Sequence, residues 1–169
     1  MSENNRTQLT LFVNSPESEI IDEARRLFNP IQHYLIKPHI TLCREQEIYN
    51  IEKILKNLEN IKFSAFSLQL GKPTRFKEAN GIYLPVLGDV KQLNTLRNIV
   101  LNGVIEIPNQ IMPHITIMHP RNSSCTDEIF NQLISRNFPK LVTFDRVSLI
   151  NQHKDEKWHI VKDFPLLAY

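Results

Sequence analysis

The sequence lacks most of the features that mark specialised protein classes. Its two cysteines, Cys43 and Cys125, form neither a disulfide framework nor a metal-binding spacing. The net charge of +2 is too small to indicate a surface for duplex nucleic acid, although it allows a local basic site for a small anion. No apolar run is long enough to span a membrane, and the first residues lack the apolar core of a signal peptide. These absences predict a cytoplasmic protein without membrane contact.

Length and composition are those of an ordinary globular domain. The chain is 41% hydrophobic and 22% charged, and its 169 residues are enough to bury roughly 70% of the unfolded surface. No Gly/Ser linker, low-complexity tract or charge block divides the chain. We therefore expect residues 1–169 to form a single domain.

The sequence does contain one tetrapeptide twice, Pro-His-Ile-Thr, at residues 38–41 and 113–116. Side chains alternate between the two faces of a strand, so the histidine and threonine of each copy share one face. The isoleucine and the apolar residue after the threonine share the other face. Each copy is thus predicted to be a half-buried strand that presents an imidazole beside a hydroxyl. Chance recurrence is the alternative, and the shared proline and apolar alternation argue against it.

The two halves of the chain repeat a similar order of elements around these strands. In the first half we expect a strand and a helix before the motif, and a helix and two strands after it, at residues 8–13, 15–28, 48–58, 63–70 and 81–87. In the second half we expect a helix before the motif, and a helix and a hairpin after it, at residues 89–101, 125–135, 141–151 and 157–161. Asn29-Pro30 should end the first helix, and Pro85 places its strand at a sheet edge or beside a bulge. The pattern predicts an α+β fold of two similar lobes.

The paired histidines indicate acid/base chemistry. Histidine titrates near pH 6.5, so one neutral imidazole can take a proton from an attacking water while a protonated one delivers a proton to a leaving oxygen. Thr41 and Thr116 can each donate a hydrogen bond to a phosphate oxygen held between His39 and His114. This arrangement suits phosphodiester chemistry with a ribose oxygen as leaving group. It requires no metal or cofactor, and the usual carboxylate or cysteine ligand groupings are not found in the sequence.

The two His-Ile-Thr-apolar strands, 75 residues apart, resemble the paired signature of the 2H phosphoesterase superfamily. More narrowly, they are similar to the bacterial 2′-5′ RNA ligase-like (LigT-like) group. The order of elements is similar over most of the chain, but only the two motifs are specific. The resemblance implies a bilobal fold with pseudo-twofold symmetry, in which two mainly antiparallel sheets flank a central cleft and helices lie outside.

The resemblance also implies an activity. It is metal-independent hydrolysis of a cyclic phosphodiester, 2′,3′-cyclic in particular, or reversible 2′-5′ ligation of RNA. His39 and His114 would be the acid/base pair, and Thr41 and Thr116 the phosphate-binding hydroxyls. The expected partner is a nucleotide or an RNA end, and we expect a monomer. A non-catalytic RNA- or nucleotide-binding module is the alternative from another class, although binding would not need two titrating groups.

The basic residues near the motifs leave the phosphate ligand undecided. Many relatives carry a basic residue, often arginine, a few positions after the second motif, whereas here His119 stands five positions after His114 and Arg121 two positions later. Arg44 instead stands five positions after His39. Arg121 precedes a helix, where free backbone N–H groups favour anions, and a solvated loop arginine is the alternative. In a regular strand His119 would point away from the face of His114.

Two aromatic residues are candidates for contact with a base. The loop at residues 71–80 combines positive charge with Phe76, which could stack on a base or fold inward, and the inward position is favoured. Tyr83 on the next strand is a weaker candidate for the cleft wall. Trp158 is most simply a packing residue. Cys43 has the parity of the first motif histidine, but a buried, inert thiol is the preferred interpretation.

Overall fold

The described part of the chain, residues 5–77 and 80–168 of a computed structural model, has the α+β organisation that the sequence predicts. In chain order the strands are β1 (Asn5–Phe12), β2 (His39–Cys43), β3 (Phe66–Leu70), β4 (Thr74–Arg75), β5 (Ile82–Leu87), β6 (His114–Met118), β7 (Leu141–Phe144), β8 (Arg146–His153) and β9 (His159–Pro165). The helices are α1 (Glu17–Phe28), α2 (Pro30–Leu35), α3 (Ile51–Glu59), α4 (Lys91–Val100) and α5 (Asp127–Ile134), with a 3₁₀ turn at Glu45–Glu47.

The strands form two antiparallel sheets, each with one His-Ile-Thr strand. The first sheet has the order β2-β1-β8-β9, so β2 lies at its edge. The second sheet has the order β4-β5-β3-β7, and β6 pairs with β5 on the side opposite β4 and β3. We call these sheets the first and second lobes. The prediction that residues 1–169 form one domain stays a prediction.

The two motif strands have the same register on their neighbours. In the first lobe His39, Ile40 and Thr41 of β2 lie opposite consecutive residues of β1, and in the second lobe the same three motif residues of β6 lie opposite consecutive residues of β5. Both pairs then shift register directly after the threonine, as in a β-bulge. The shift makes two consecutive residues buried in each strand, Leu42 and Cys43 in one and Ile117 and Met118 in the other. This repeated irregularity is the clearest sign of pseudo-twofold symmetry.

The helices form where one apolar face can be buried. In α4 the buried residues Leu93, Leu96 and Val100 recur at helical spacing. Asn50 caps α3, accepting a hydrogen bond from the backbone N–H of Lys53 at 3.1 Å. No helix among the described residues is long and apolar enough to cross a bilayer.

One local prediction is wrong, and two others are met but incomplete. Asn29-Pro30 ends α1 but also begins α2, because proline is well suited to a first helical turn. The strand predicted at residues 141–151 breaks at Asp145 and gives β7 in the second lobe and β8 in the first. Pro85 does not lie in an edge strand, since β5 has neighbours on both sides. The other alternative, a bulge, agrees with the register shift of β5 at Ile82/Tyr83, and Pro85 stands where one neighbour of β5 changes from β4 to β3.

Polar contacts join each lobe to the helix that precedes the other lobe's motif. The guanidinium of Arg97 in α4 donates to the carbonyl oxygen of Leu42 in β2 and to Glu47 Oε1, the latter at 2.7 Å. At the end of α1, Asn29 donates to the carbonyl oxygen of Asn122 at 3.0 Å and accepts from the backbone N–H of His119 at 2.8 Å. These contacts hold the two motif strands beside each other.

We expect Arg97→Met to reduce the free energy of unfolding by about 3–5 kcal/mol, because it leaves the Glu47 carboxylate without its buried partner. The Arg97 side chain is 2% exposed and that of Glu47 is 11% exposed. Urea denaturation measures the change. The control is Arg26→Ala, whose ion pair with Glu23 is about half exposed and should change the free energy of unfolding little, because solvent screens it. Equal losses in both variants would contradict a role for the buried pair.

Candidate active site

A cavity of about 570 Å³ opens between the two motif strands. Seven residues proposed from the sequence line it together: His39, Thr41, Arg44, His114, Thr116, His119 and Arg121. They come from the ends of β2 and β6 and from the segments that follow these strands. The volume is within the usual range for small-molecule sites. The fold therefore brings both motifs and their flanking basic residues to one cleft.

The two motif histidines are anchored in the same way. Nδ1 of His39 lies 2.7 Å from the carbonyl oxygen of Lys37, and Nδ1 of His114 lies 2.9 Å from the carbonyl oxygen of Met112. A carbonyl oxygen only accepts hydrogen bonds, so Nδ1 carries the proton in both rings. The other nitrogen, Nε2, is then the one that can take up or release a proton.

Both rings are harder to protonate than a free histidine. Burial lowers the pKa of His39 to about 4. The positive charges of Arg25, and of His114 and His119 when protonated, lower this pKa further, whereas the hydrogen bond to the Lys37 carbonyl oxygen raises it. Burial also lowers the pKa of His114, and the charge of Arg44 acts in the same direction. In the absence of an anion, both imidazoles are therefore neutral at pH 7. A bound phosphate would favour their protonated forms.

The threonine of the first motif is held by a neighbour that the sequence argument did not single out. Gln8 Nε2 donates to Thr41 Oγ1 at 3.0 Å and to Thr10 Oγ1 at 2.7 Å. Because Thr41 accepts this bond, its own hydroxyl proton is free to be donated into the cleft. Gln8 also lines the cavity. Gln8 is one of the polar residues that alternate with apolar residues in the first strand, and this alternation could have identified it.

His119 lies in the cleft and not on the opposite face. In a regular strand His119 would point away from the face of His114, but the register shift and the end of β6 at Met118 change the direction of the chain. His119 Nδ1 accepts a hydrogen bond from the backbone N–H of Arg121 at 3.1 Å. A neutral His119 therefore carries its proton on Nε2, the reverse of the two motif histidines. Burial lowers its pKa, as do the charges of Arg121 and Arg6.

Three arginines make the cleft positive. Arg44 and Arg121 form no ion pair with any residue of the described ranges, 5–77 and 80–168. Arg6, which the sequence argument missed, has a distant partner, with its Nε 3.7 Å from a carboxylate oxygen of Glu45. Asp155 is an acidic residue that also lines the cavity. The site is suited to an anionic ligand.

The candidate base contacts lie beside the cleft rather than in its lining. The rings of Phe76 and Tyr83 are 5.4 and 5.3 Å from the ring of His114, in edge-to-face geometry, and 4.5 Å from each other. Phe76 is thus folded inward. Arg75 of the same loop pairs with Asp127 of α5 at 2.6 Å. These residues support the second motif strand from outside the cavity.

Two candidates remain, Cys43 and Trp158, and their surroundings differ. Cys43 is fully buried, and burial raises the pKa of its thiol to about 12, so it is inert as expected. Trp158, predicted to be a packing residue, lies in the cavity wall. Within the described ranges no three His, Cys, Asp or Glu side chains are grouped to bind a metal ion.

The hydrogen bonds of the three cleft histidines predict two different tautomers. In ¹H–¹⁵N correlation spectra at pH 7.5, neutral His39 and His114 should show the Nδ1–H form, and His119 the Nε2–H form, because Nδ1 donates in the first two and accepts in the third. Variants with His39, His114 or His119 replaced by asparagine assign the signals. The same tautomer in all three rings would contradict the described geometry.

Stability should fall as pH decreases from about 6.5 towards 4. The pKa of His39 is lower in the folded chain, so the unfolded chain binds the extra proton in this window and is favoured there. The shift corresponds to no more than about 3 kcal/mol, and partial exposure reduces it. Urea denaturation at pH 7.5 and pH 4.5 measures the loss. It should be smaller in His39→Asn, and an unchanged loss would rule out His39 as its source.

The sequence matches the 2′-5′ RNA ligase superfamily over residues 12–156, a range that includes both motifs. No curated protein matches the sequence significantly.

Solved structures with a similar fold include LigT from E. coli. Its apo crystal structure is 17% identical, with a TM-score of 0.67, and the match covers 98% of this chain and 99% of LigT. A crystal structure described as a phosphoesterase is 14% identical, with a TM-score of 0.68, and the match covers 96% of this chain and 98% of that one. These likenesses support the bilobal fold. From the match over residues 12–156, the chain belongs to the 2′-5′ RNA ligase superfamily, in agreement with its resemblance to the 2H phosphoesterases.

Proposed function

We propose that this protein is a metal-independent phosphodiesterase that hydrolyses a cyclic phosphodiester, 2′,3′-cyclic in particular, on a nucleotide or an RNA end. One observation carries the proposal. Two imidazoles, each with Nδ1 bonded to a carbonyl oxygen and Nε2 available for proton transfer, line one cavity with a threonine beside each. A cavity for binding alone would not require two imidazoles that are both positioned for proton transfer.

The reaction needs one base and one acid. The base takes a proton from the attacking water, and the acid delivers a proton to the ribose oxygen that leaves phosphorus. We assign the role of base to His39, because its lowered pKa keeps the ring neutral and able to accept a proton. His114 is then the acid, and the negative phosphate favours its protonated form.

The other cleft residues bind the phosphate. Thr41, whose oxygen is occupied by Gln8, donates its hydroxyl proton to one phosphate oxygen, and Thr116 does the same from the other lobe. Arg44 and Arg121 balance the negative charge that develops on these oxygens. His119 contributes a neutral Nε2–H donor. A phosphate held by both lobes would stay aligned with both imidazoles.

RNA 2′-5′ ligation is the second candidate, and the superfamily match supports it. Ligation would use the same acid and base with a ribose hydroxyl in place of water. Crystal structures of E. coli LigT with phosphate, 3′-AMP, NADP⁺ and ATP show that a protein of this fold binds nucleotides. These complexes are consistent with a nucleotide or an RNA end as the substrate of the present chain.

We expect His39→Ala and His114→Ala each to lower kcat at least about 10²-fold, the contribution of one acid or base, while circular dichroism shows an intact fold. The rate of the wild-type protein should follow a bell-shaped pH curve. His159→Ala is the matched control, since His159 is exposed and does not line the cavity. Loss of activity on adding EDTA would contradict a metal-independent mechanism.

The substrate is best identified with a panel of 2′,3′-cyclic mononucleotides, cyclic dinucleotides and RNA oligonucleotides with cyclic or 2′-5′ linkages. Hydrolysis of a cyclic end with no joining of RNA ends supports the first candidate, and joining supports the second. If the pure protein acts on no member of the panel, the proposed function is wrong.

A further inference from the structure

Trp158 is the protein's single tryptophan and lies in the wall of the cleft. Its backbone N–H donates to the carbonyl oxygen of Leu35 at 2.9 Å, which ties the segment before β9 to the end of α2. The indole is only half-buried. It therefore presents apolar ring surface on the first-lobe side of the cavity that contains both motif histidines.

Arg6 is held against this indole. Its guanidinium carbon lies 5.3 Å from the ring centre, and its Nη1 donates to Gln152 Oε1 at 3.2 Å. Arg6 and Gln152 are paired across β1 and β8, so the strands themselves fix this contact. A guanidinium at this distance has a cation–π attraction to the ring. The indole is thus oriented before any ligand binds.

Asp155 lines the same cavity from the turn between β8 and β9. A carboxylate repels phosphate but accepts hydrogen bonds from the amino and imino groups of a base. Arg6 can donate to the carbonyl and ring nitrogen acceptors of a base. An aromatic face with a donor and an acceptor beside it is the usual chemistry of nucleobase recognition in single strands. Among the described residues of the second lobe no aromatic ring lines the cavity, because Phe76 and Tyr83 pack on His114 instead.

We propose that Trp158, Arg6 and Asp155 form a nucleobase subsite on the first-lobe side of the cleft. The substrate base stacks on Trp158 while the phosphate lies between the two motif histidines. This inference rests on the proposed function and makes it more specific, since the substrate is then a nucleotide or an RNA end and not a phosphodiester without a base.

Intrinsic fluorescence gives a direct test, because the only tryptophan is the proposed stacking surface. The wild-type protein is titrated with adenosine 3′-monophosphate, ribose 5-phosphate and inorganic phosphate, with binding measured separately by calorimetry. The nucleotide should change the emission in a saturable way, and the two ligands without a base should not. Nucleotide binding without a change in emission, or no nucleotide binding at all, would overturn the subsite.

Kinetics of a tryptophan variant give a second test. Trp158→Leu should raise KM for a 2′,3′-cyclic nucleotide about 5- to 100-fold, the range for one lost base stack, with kcat little changed. KM for methyl riboside 2′,3′-cyclic phosphate, which has no base, should not rise. Trp158→Phe should restore much of the affinity. Tyr49→Leu, which removes a 62% exposed aromatic outside the cavity lining, is the control.

The two proposals can fail separately. If KM rises equally for the substrates with and without a base, Trp158 supports the fold and the subsite is wrong, while the proposed hydrolysis stands. If no cyclic phosphodiester is hydrolysed, the proposed function is wrong. The fluorescence titration still decides whether Trp158 contacts a base, because it requires no turnover.

Discussion

The hydrogen bond from Nδ1 of each motif histidine to a carbonyl oxygen two residues earlier is the constraint on which the site depends. The bond fixes the tautomer of both rings and leaves Nε2 as the exchangeable nitrogen. It can form in both lobes because residues 37–39 and 112–114 enter their strands alike. The same local backbone geometry in both lobes therefore gives two equivalent imidazoles.

Two buried arginines fix the chain around the first motif strand through polar contacts. Arg25 in α1 is fully buried and donates to the carbonyl oxygens of Gln32 and Ile36, at 3.1 and 2.7 Å. Burial lowers the pKa of Arg25 to about 10, with Asp22 opposing the shift, so the group stays charged at neutral pH. Arg97 makes comparable contacts from α4. These arginines fix the segments that lead into or follow β2, and so they set the shape of the cleft.

The electrostatics of the cleft follow from the same architecture. Unpaired arginines and three histidines are brought to one cavity, and burial keeps the histidines neutral when no anion is present. In the proposed reaction, an arriving phosphate would bring negative charge into this positive cleft. The proton needed by the proposed acid would then be taken up together with the substrate, which would couple ligand binding to the protonation state.

The sequence by itself determined the two motif strands, their polar faces and the α+β order, because alternation and helical spacing depend on residues only two to four positions apart. Three features were decided only by the tertiary structure. His119 enters the cleft, and Cys43 is buried instead of lying on the polar face of its strand. Trp158 and Arg6 line the same cavity. The first two depend on register shifts after the motif threonines, which local alternation cannot reveal. The third depends on strand pairing between residues about 150 positions apart, whose partners are chosen by packing of the whole chain.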